Sequence, residues 1–119
     1  MQYLLMIYHP EADWAKMKPT DREPVYGEYR QLVEQLTKNG KFLGGNQLQP
    51  TGAATTVRVR DGKRVTTDGP FAETKEQLGG YFLVEASDLD DAIGIAARIP
   101  GARYGSIEVR PVVPRQPAN

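Results

Sequence analysis

Two side chains in this sequence are suited to proton transfer: its single histidine, His9, and the aspartate that opens an Asp-Gly-Pro-Phe turn, Asp68. An unperturbed imidazole titrates near pH ~6.5, so a histidine can take up or release a proton at cellular pH. A neighbouring carboxylate can orient such a ring and stabilise its charged form. Because the Gly69-Pro70 unit restricts the backbone, Asp68 can be directed at His9 with little loss of conformational entropy. The two residues predict acid–base chemistry.

Both residues also have an ordinary structural interpretation. A lone histidine before a proline is commonly a surface residue, and an aspartate at the start of a Gly-Pro turn caps its own backbone. Gly69 and Pro70 then only shape the turn, and Phe71 is expected to fill a place in the core. The sequence leaves both interpretations of His9 and Asp68 open.

Three further residues are candidates for binding a small molecule. Tyr8 and Tyr81 stand at strand ends, each with a polar tip, and Glu76 closes a run of alternating charges after the turn. Core packing is the alternative role for the two tyrosines, and solvation is the alternative for Glu76. The candidate site therefore consists of His9 and Asp68 as catalytic residues, with Tyr8, Glu76 and Tyr81 as substrate-binding residues.

The composition excludes several other chemistries. The chain has no cysteine, which rules out disulfides, thiolate catalysis and zinc–thiolate sites. With one histidine and scattered carboxylates, no metal-ligand spacing is present, and we expect neither a metal nor a cofactor. Fifteen basic and fifteen acidic residues give a formal net charge of zero. That balance argues against nucleic acid or a membrane surface as the partner.

No segment has the pattern of an export signal or a membrane span. The opening MQYLLMIYHP has too short an apolar run and lacks basic flanks. No other run approaches the length of a transmembrane helix. We therefore expect a soluble, cytoplasmic protein. A chain of 119 residues fits one domain, which at this size buries roughly two-thirds of its unfolded surface.

Hydrophobic patterning in the first half predicts a strand, a loop and a helix. The short apolar run 2–8, bounded by His9-Pro10, favours a buried strand. Residues 10–20 show no sustained period and predict a loop, from which Trp14 folds back onto the core. A helix is predicted to begin near Pro24 and to end at Asn39-Gly40. Its apolar stripe has helical spacing and comprises Val25, Tyr29, Leu32, Val33 and Leu36.

The second half predicts strands, a hairpin and one more helix. Alternating valine and arginine around an Asp-Gly pair is a strong hairpin signal. The predicted elements are a strand over 41–48 with a bulge at Gly44-Gly45, the hairpin 55–67, a strand over 80–86, a helix capped by Ser87 or Asp88 with Leu89, Ala92, Ile93, Ala96 and Ile99 on its buried face, and a strand over 104–113.

Without the hairpin, the order is strand, helix, strand, strand, helix, strand. This is an α+β, ferredoxin-like βαββαβ arrangement with an inserted hairpin and both helices on one face of the sheet. Strands 2–8 and 80–86 are the most apolar and should be central. Because both are apolar on both faces, the second face needs a cover, and a second copy of the chain is the simplest one. We predict a homodimer of one domain, 1–113, followed by a flexible tail, 114–119.

Four short motifs carry a resemblance to a known family: Asp68-Gly69-Pro70-Phe71, Glu73-Thr74-Lys75-Glu76, Gly79-Gly80-Tyr81 and Glu108-Val109-Arg110-Pro111. They resemble the YCII-related, or DGPF-domain, family of small bacterial proteins, and the likeness extends from Tyr3 to Val113. The resemblance implies a ferredoxin-like fold that dimerises as an α/β barrel. It also implies a cleft with a catalytic dyad of the histidine near the end of the first strand and the aspartate of the turn. Some relatives remove chloride from chlorinated hydroxyquinones, and others are encoded with or fused to extracytoplasmic sigma factors.

Two functions from different classes follow as predictions. The first is a cofactor-free acid–base enzyme, lyase- or dehydrochlorinase-like, in which His9 moves a proton and Asp68 orients the ring. The second is a non-catalytic ligand-binding or regulatory module associated with an extracytoplasmic sigma factor. Catalysis requires the two side chains within hydrogen-bond reach, directly or through one water, at the wall of a cavity. A binding module requires only a cavity or a surface.

Overall fold

A computed structural model describes residues 1–115 and shows a mixed α+β protein. Its elements, in chain order, are β1 (Gln2–His9), α1 (Glu11–Lys16), α2 (Pro19–Lys38), β2 (Phe42–Gln47), β3 (Thr55–Arg60), β4 (Lys63–Asp68), β5 (Gln77–Glu85), α3 (Leu89–Arg98) and β6 (Ser106–Pro111). Two short 3-10 turns, Thr51–Ala53 and Pro100–Arg103, complete it. Of the predicted tail 114–119, residues 116–119 lie outside the described residues.

The main sheet has four antiparallel strands in the order β2-β5-β1-β6. The two most apolar strands, β1 and β5, are the central ones, as their composition predicted. This order is compatible with a ferredoxin-like fold. Strands β3 and β4 form a separate two-stranded sheet. Within residues 1–115, no helix is long and apolar enough to cross a lipid bilayer.

The prediction for residues 10–24 is wrong in two respects. The expected loop contains the helix α1, and α2 begins at Pro19, before the predicted start at Pro24. α1 is too short to show a helical period in sequence, and a tertiary contact holds it: Arg22 Nη2 donates to the Trp14 carbonyl at 2.8 Å. Pro24 lies inside α2, where it forfeits one backbone hydrogen bond. Packing of the apolar stripe on the sheet offsets that loss.

The apolar stripe of α2 and the end of the helix are confirmed. Val25, Leu32 and Leu36 are buried, and Tyr29 and Val33 pack against the core at its edge. The helix ends as the Asn39-Gly40 pair predicted. Gly40 adopts a left-handed φ of 70°, and the Lys41 N–H donates to the Leu36 carbonyl at 2.8 Å, which satisfies one of the last free carbonyls.

The second of the two predicted helices, α3, begins at the predicted cap but buries a different side of the helix. The Asp88 side chain accepts a hydrogen bond from the Asp91 N–H at 2.8 Å. Leu89 and Ile93, predicted to be buried, are each 49% exposed, whereas Ile95 is buried. The spacing of the apolar residues does not distinguish the side with Leu89 and Ile93 from the side with Ile95, since both sides adjoin Ala92 and Ala96. α3 packs against β6, and this contact turns the flank that carries Ile95 inward.

The two faces of the main sheet differ in cover. One face, the covered face, carries the helices, and its members Tyr3, Leu5, Ile7, Phe82 and Val84 are buried. The other, the open face, carries no helix, and its apolar members are only partly buried: Leu4, Met6, Tyr8, Tyr81 and Leu83. Strand alternation produces both sets from the same two strands.

The hairpin formed by β3 and β4 extends away from this sheet. Its turn residues Asp61 and Gly62 have φ values of 53° and 73°, which are typical of a type I′ turn. The molecule measures 53 × 47 × 19 Å with a radius of gyration of 16.6 Å, whereas a compact domain of this length has about 13–14 Å. Phe71, predicted to fill the core, is instead 81% exposed, because the segment after β4 lies beyond the main sheet.

Candidate functional site

A large cavity lies between the covered face of the sheet and the helices α1 and α2. Its volume is about 930 Å³. The walls are mostly apolar, with aromatic residues from both helices and from the sheet. Gln47 of β2 adds an amide group, whose Nε2 donates to the Tyr26 hydroxyl at 3.4 Å. Asp13, Arg30 and Glu34 supply the charged groups of its lining.

His9 lies in the wall of this cavity. Alternation along β1 places it on the same face as the buried Leu5 and Ile7. The imidazole meets the Trp14 ring edge-to-face, with centroids 6.2 Å apart and an angle of 66° between the planes. Trp14 in turn meets Tyr26 edge-to-face at 5.6 Å. The three rings line one side of the cavity, and α1 positions the middle one.

A glycine in β5 makes room for the imidazole. The register between β1 and β5 shifts after Ile7, so that Ile7 faces Gly80 while Tyr8 faces Leu78. Gly79 is the additional residue of this bulge, and a Cβ built on it would lie 2.2 Å from His9 Nε2. Only a residue without a side chain allows the ring to lie against the strand there. The Gly79-Gly80 pair in the sequence was the available signal for this close approach.

Asp68 lies at the end of β4, where it pairs with Thr55, and it is exposed. The turn after it is firmly held, as an Asp-Gly-Pro turn should be. Gly69 has a left-handed φ of 93°, and its N–H donates to the Ala54 carbonyl at 2.7 Å. Within residues 1–115, no hydrogen bond joins the side chains of His9 and Asp68, and Asp68 does not line the cavity. Their pairing stays a prediction.

A carboxylate that the sequence did not single out, Glu11, lies nearer to the histidine along the chain. Its carboxylate accepts hydrogen bonds from the Thr51 N–H at 3.0 Å and from the Thr51 hydroxyl. These bonds lower the pKa of Glu11, and attraction to His9 adds a smaller effect in the same direction. The Glu11 N–H donates to Gln77 Oε1 at 2.9 Å, and Gln77 is the residue opposite His9 in β5. Glu11 thus ties three segments together beside the cavity.

The three predicted substrate-binding residues lie on the open face and do not line the cavity. Tyr8 donates from its hydroxyl to Met6 Sδ at 3.9 Å, and the Tyr81 hydroxyl accepts from Asn46 Nδ2 at 3.1 Å. The Glu76 carboxylate accepts from Ser106 Oγ at 3.0 and 3.2 Å. The sheet therefore separates His9 from Tyr8, Glu76 and Tyr81, and the role of these three in binding stays a prediction.

The sequence did not indicate that Trp14 and Tyr26 line the cavity. Trp14 was expected only to pack on the core, and Tyr26 was not singled out. Trp14 lines the cavity because α1 exists, which is a tertiary outcome. Tyr26 lies within the predicted helix but outside its predicted apolar stripe. Among residues 1–115, no group of three or more histidine, cysteine, aspartate or glutamate side chains is arranged to hold a metal ion.

Fold and cavity together define a class: a small α+β protein whose antiparallel sheet is covered by helices on one face, with an aromatic cavity beneath them. The chain matches the family model of the YCII-related domain over residues 1–116. It is also 34% identical over 119 residues to an uncharacterized protein of Rhizobium meliloti (strain 1021), an alignment that covers 98% of this chain and 96% of the relative. The chain belongs to the YCII-related family.

Proposed function

We propose that this protein binds a small, largely apolar molecule in the cavity between α1, α2 and the sheet, and that His9 exchanges a proton with it. One observation carries the proposal: the only histidine of the chain stands in the wall of an apolar cavity of about 930 Å³. Ligand sites in proteins typically have about 300–1,000 Å³, apolar walls and a few polar groups. The cavity has all three features.

The walls favour a flat or aromatic ligand. Trp14 and Tyr26 present aromatic edges and faces, which pack well against a ring. The Gln47 amide can hydrogen-bond to a hydroxyl or carbonyl group of the ligand. A single imidazole at such a site suits removal of a proton from carbon or oxygen without a cofactor, as a lyase-type reaction requires. The enzyme proposal keeps His9 as the acid–base residue and Asp68 as its proposed partner.

A non-catalytic module that binds the same kind of ligand is the second candidate function. It is favoured by the lack of a hydrogen bond between His9 and Asp68 within residues 1–115. Without an oriented base, the cavity would serve ligand binding alone, and occupancy would regulate an association such as that with an extracytoplasmic sigma factor.

The assembly belongs to the same proposal. We propose that the fold is ferredoxin-like with β3 and β4 as an insertion, and that two copies join through their open faces to form an α/β-barrel type homodimer. The support is that Leu4, Met6 and Leu83 form a partly exposed apolar centre on a face that lacks helices. Such a patch is typical of an interaction site.

The fluorescence of Trp14 tests the proposed cavity directly, because Trp14 is the only tryptophan in the chain. We expect small hydroxylated aromatic compounds to change its emission in a saturable way. Tyr26→Ala should weaken the binding, and Val65→Ala on the hairpin, outside the cavity, should leave it unchanged. Emission that responds to no compound of this class, or responds equally in both variants, would contradict the cavity proposal.

Turnover separates the two candidate functions. For any compound that binds, we expect the parent to consume it slowly and His9→Gln to retain binding but to lose this turnover, as measured by liquid chromatography. Asp68→Asn should reduce turnover without changing binding if the aspartate acts on His9. Binding without turnover in the parent would favour the ligand-binding module.

Sedimentation equilibrium tests the dimer. We expect the parent to be dimeric at micromolar concentration and Leu83→Asp to shift it toward monomer, because a charge would be placed in the buried centre of the interface. Leu89→Asp is the matched control, since Leu89 is exposed at the start of α3, far from the open face, and an aspartate suits the first turn of a helix. A compact parent monomer would disprove the dimer.

A further inference from the structure

One continuous segment of the chain carries several apolar side chains that are largely exposed to solvent. We call residues 55–71 the arm; it comprises β3, β4 and the turn that follows. Val57, Val59 and Val65 are 57%, 63% and 45% exposed, and Phe71 is 81% exposed. These side chains are β-formers that are normally half-buried in a sheet. In the arm, Val57, Val59 and Phe71 stay more than half exposed.

The arm does not gain its order from the rest of the chain. β3 and β4 pair over their full length, from Thr55 with Asp68 to Arg60 with Lys63. Their extensive contacts are only with each other. An isolated two-stranded hairpin is marginally stable at best in water, and it needs a third strand or another surface to pack on. The arm therefore lacks the surface that would stabilise it.

Its two faces have different characters. In the register of the hairpin, Val57 lies opposite Thr66 and Val59 lies opposite Arg64, so the two valines share one face. The other face carries Arg58, Arg60 and Lys63, with Val65 among them. The valine face is suited to contact with another surface, and the basic face is suited to water or to acidic neighbours at the edge of that contact.

Charge favours the body of another copy over its arm as the surface that the arm contacts. Residues 55–68 contain four basic residues and two acidic ones, Asp61 and Asp68, a formal charge of +2. Since the whole chain has zero net charge, the remainder carries −2. Two arms would repel one another, whereas the arm of one copy and the body of another attract. The opposite charges thus favour contact between arm and body in a pair of identical chains.

We propose that the arm of each copy packs against the body of a second copy, with Val57, Val59 and Phe71 as its apolar anchors. The contact is made twice in a two-fold symmetric dimer, because each chain supplies one arm and one body. This inference rests on the homodimer proposed above and adds a second contact to the one between the open faces. The arm becomes ordered by its partner, and the dimer gains affinity from the arm.

The test compares two substitutions on the valine face with one on the basic face. We expect the double variant Val57→Ser and Val59→Ser to raise the dimer dissociation constant at least tenfold in sedimentation equilibrium. Val65→Ser, the matched control on the basic face, should change it less than threefold. Raising the salt concentration from 0.05 to 0.5 M should weaken the parent dimer several-fold, because the attraction between arm and body is screened.

Amide hydrogen exchange supplies a second measurement that does not depend on affinity. The amides of β3 and β4 should exchange slowly in the parent dimer and quickly in Leu83→Asp once that variant is monomeric, while β1 and β5 stay protected in both. A parent dimer whose affinity the double variant does not change would overturn the arm contact and leave the open-face dimer standing. A parent that is monomeric throughout would overturn both. An arm that is protected even in the monomer would show that its own chain covers it, and would also overturn the proposal.

Discussion

The two faces of the four-stranded sheet are built from the same strands but differ in burial. Along β1, Leu5 and Ile7 are buried beneath the helices, whereas Leu4 and Met6 remain partly exposed. Both sets are apolar, so hydrophobicity alone does not decide which face is covered within the chain. The connections decide it: α2 and α3 each join two strands and cross the same face. An apolar strand therefore indicates that both faces of the sheet require burial. The positions of the connecting helices determine which of the two faces is buried within the chain.

The largest expected effect lies on the covered face. Leu36→Ala should lower the free energy of unfolding by about 2–5 kcal/mol, as truncation of a large core side chain does, because Leu36 is 1% exposed. Met6→Ala on the open face should cost clearly less in a dilute, monomeric sample. Urea denaturation of both variants measures the contrast.

A substitution on the outer side of the same helix controls for helix propensity. Gln31 is exposed on α2, and Gln31→Ala should change the unfolding free energy little. If Leu36→Ala and Met6→Ala cost the same in a monomeric sample, then the two faces would be equally buried and the comparison above would fail.

The sequence predicted the sheet and the main helix well for a physical reason. Residues 2–8 and the stripe of α2 are regular, local patterns, and each buried position repeats at the period of its element. The central place of β1 and β5 followed from the same apolar runs. α1 and the start of α2 at Pro19 were missed because they depend on contacts such as that of Arg22 with Trp14, which no local pattern shows.

The candidate site was less predictable. His9 was identified as a candidate because it is the only histidine, but its grouping with Tyr8 ignored the alternation that places adjacent strand residues on opposite faces. The cavity itself could not be predicted, since it is a gap between α1, α2 and the sheet. Phe71 was expected in the core because aromatic residues usually are; whether it is covered depends on a surface outside its own segment.

A smaller effect is expected where His9 meets the covered side of β5. Gly79→Ala should displace the imidazole, because the new Cβ would lie 2.2 Å from His9 Nε2. We expect a loss of about 1 kcal/mol, at the low end for overpacking, since the ring can rotate away. A changed Trp14 emission should accompany it, as the two rings are in contact.

Gly44→Ala is the matched control for this substitution. Gly44 also lies in a strand at a bulge, but a Cβ there meets no atom within 4 Å. The control should leave Trp14 emission unchanged. Equal emission in Gly79→Ala and the parent would mean that His9 does not lie against β5 and would remove the histidine from the cavity wall.

The smallest expected effect concerns an ion pair that fastens α3 over the covered face. The Asp91 carboxylate accepts from the Ser87 N–H at 3.0 Å and from Lys41 Nζ at 3.0 Å. The Ser87 N–H, and then Lys41, lower the pKa of Asp91 below its ordinary value of 3.8. Because the pKa is lower in the folded chain than in the unfolded one, the carboxylate stabilises the fold above the unfolded value. That contribution is lost as the pH falls through the folded value.

Chemical denaturation of the parent and of Asp91→Asn between pH 6 and pH 2 measures this contribution. The parent should be the more stable protein at pH 6, and the difference should shrink below about pH 4, where the unfolded carboxyl becomes protonated. Asp90→Asn is the control, because Asp90 lies in the same turn of α3 and accepts neither of these bonds. A stability difference between parent and Asp91→Asn that is constant over the whole range would show that the charge of Asp91 does not hold α3 in place. The cover of this face would then rest on the apolar packing of Ala92, Ile95 and Ile99 alone.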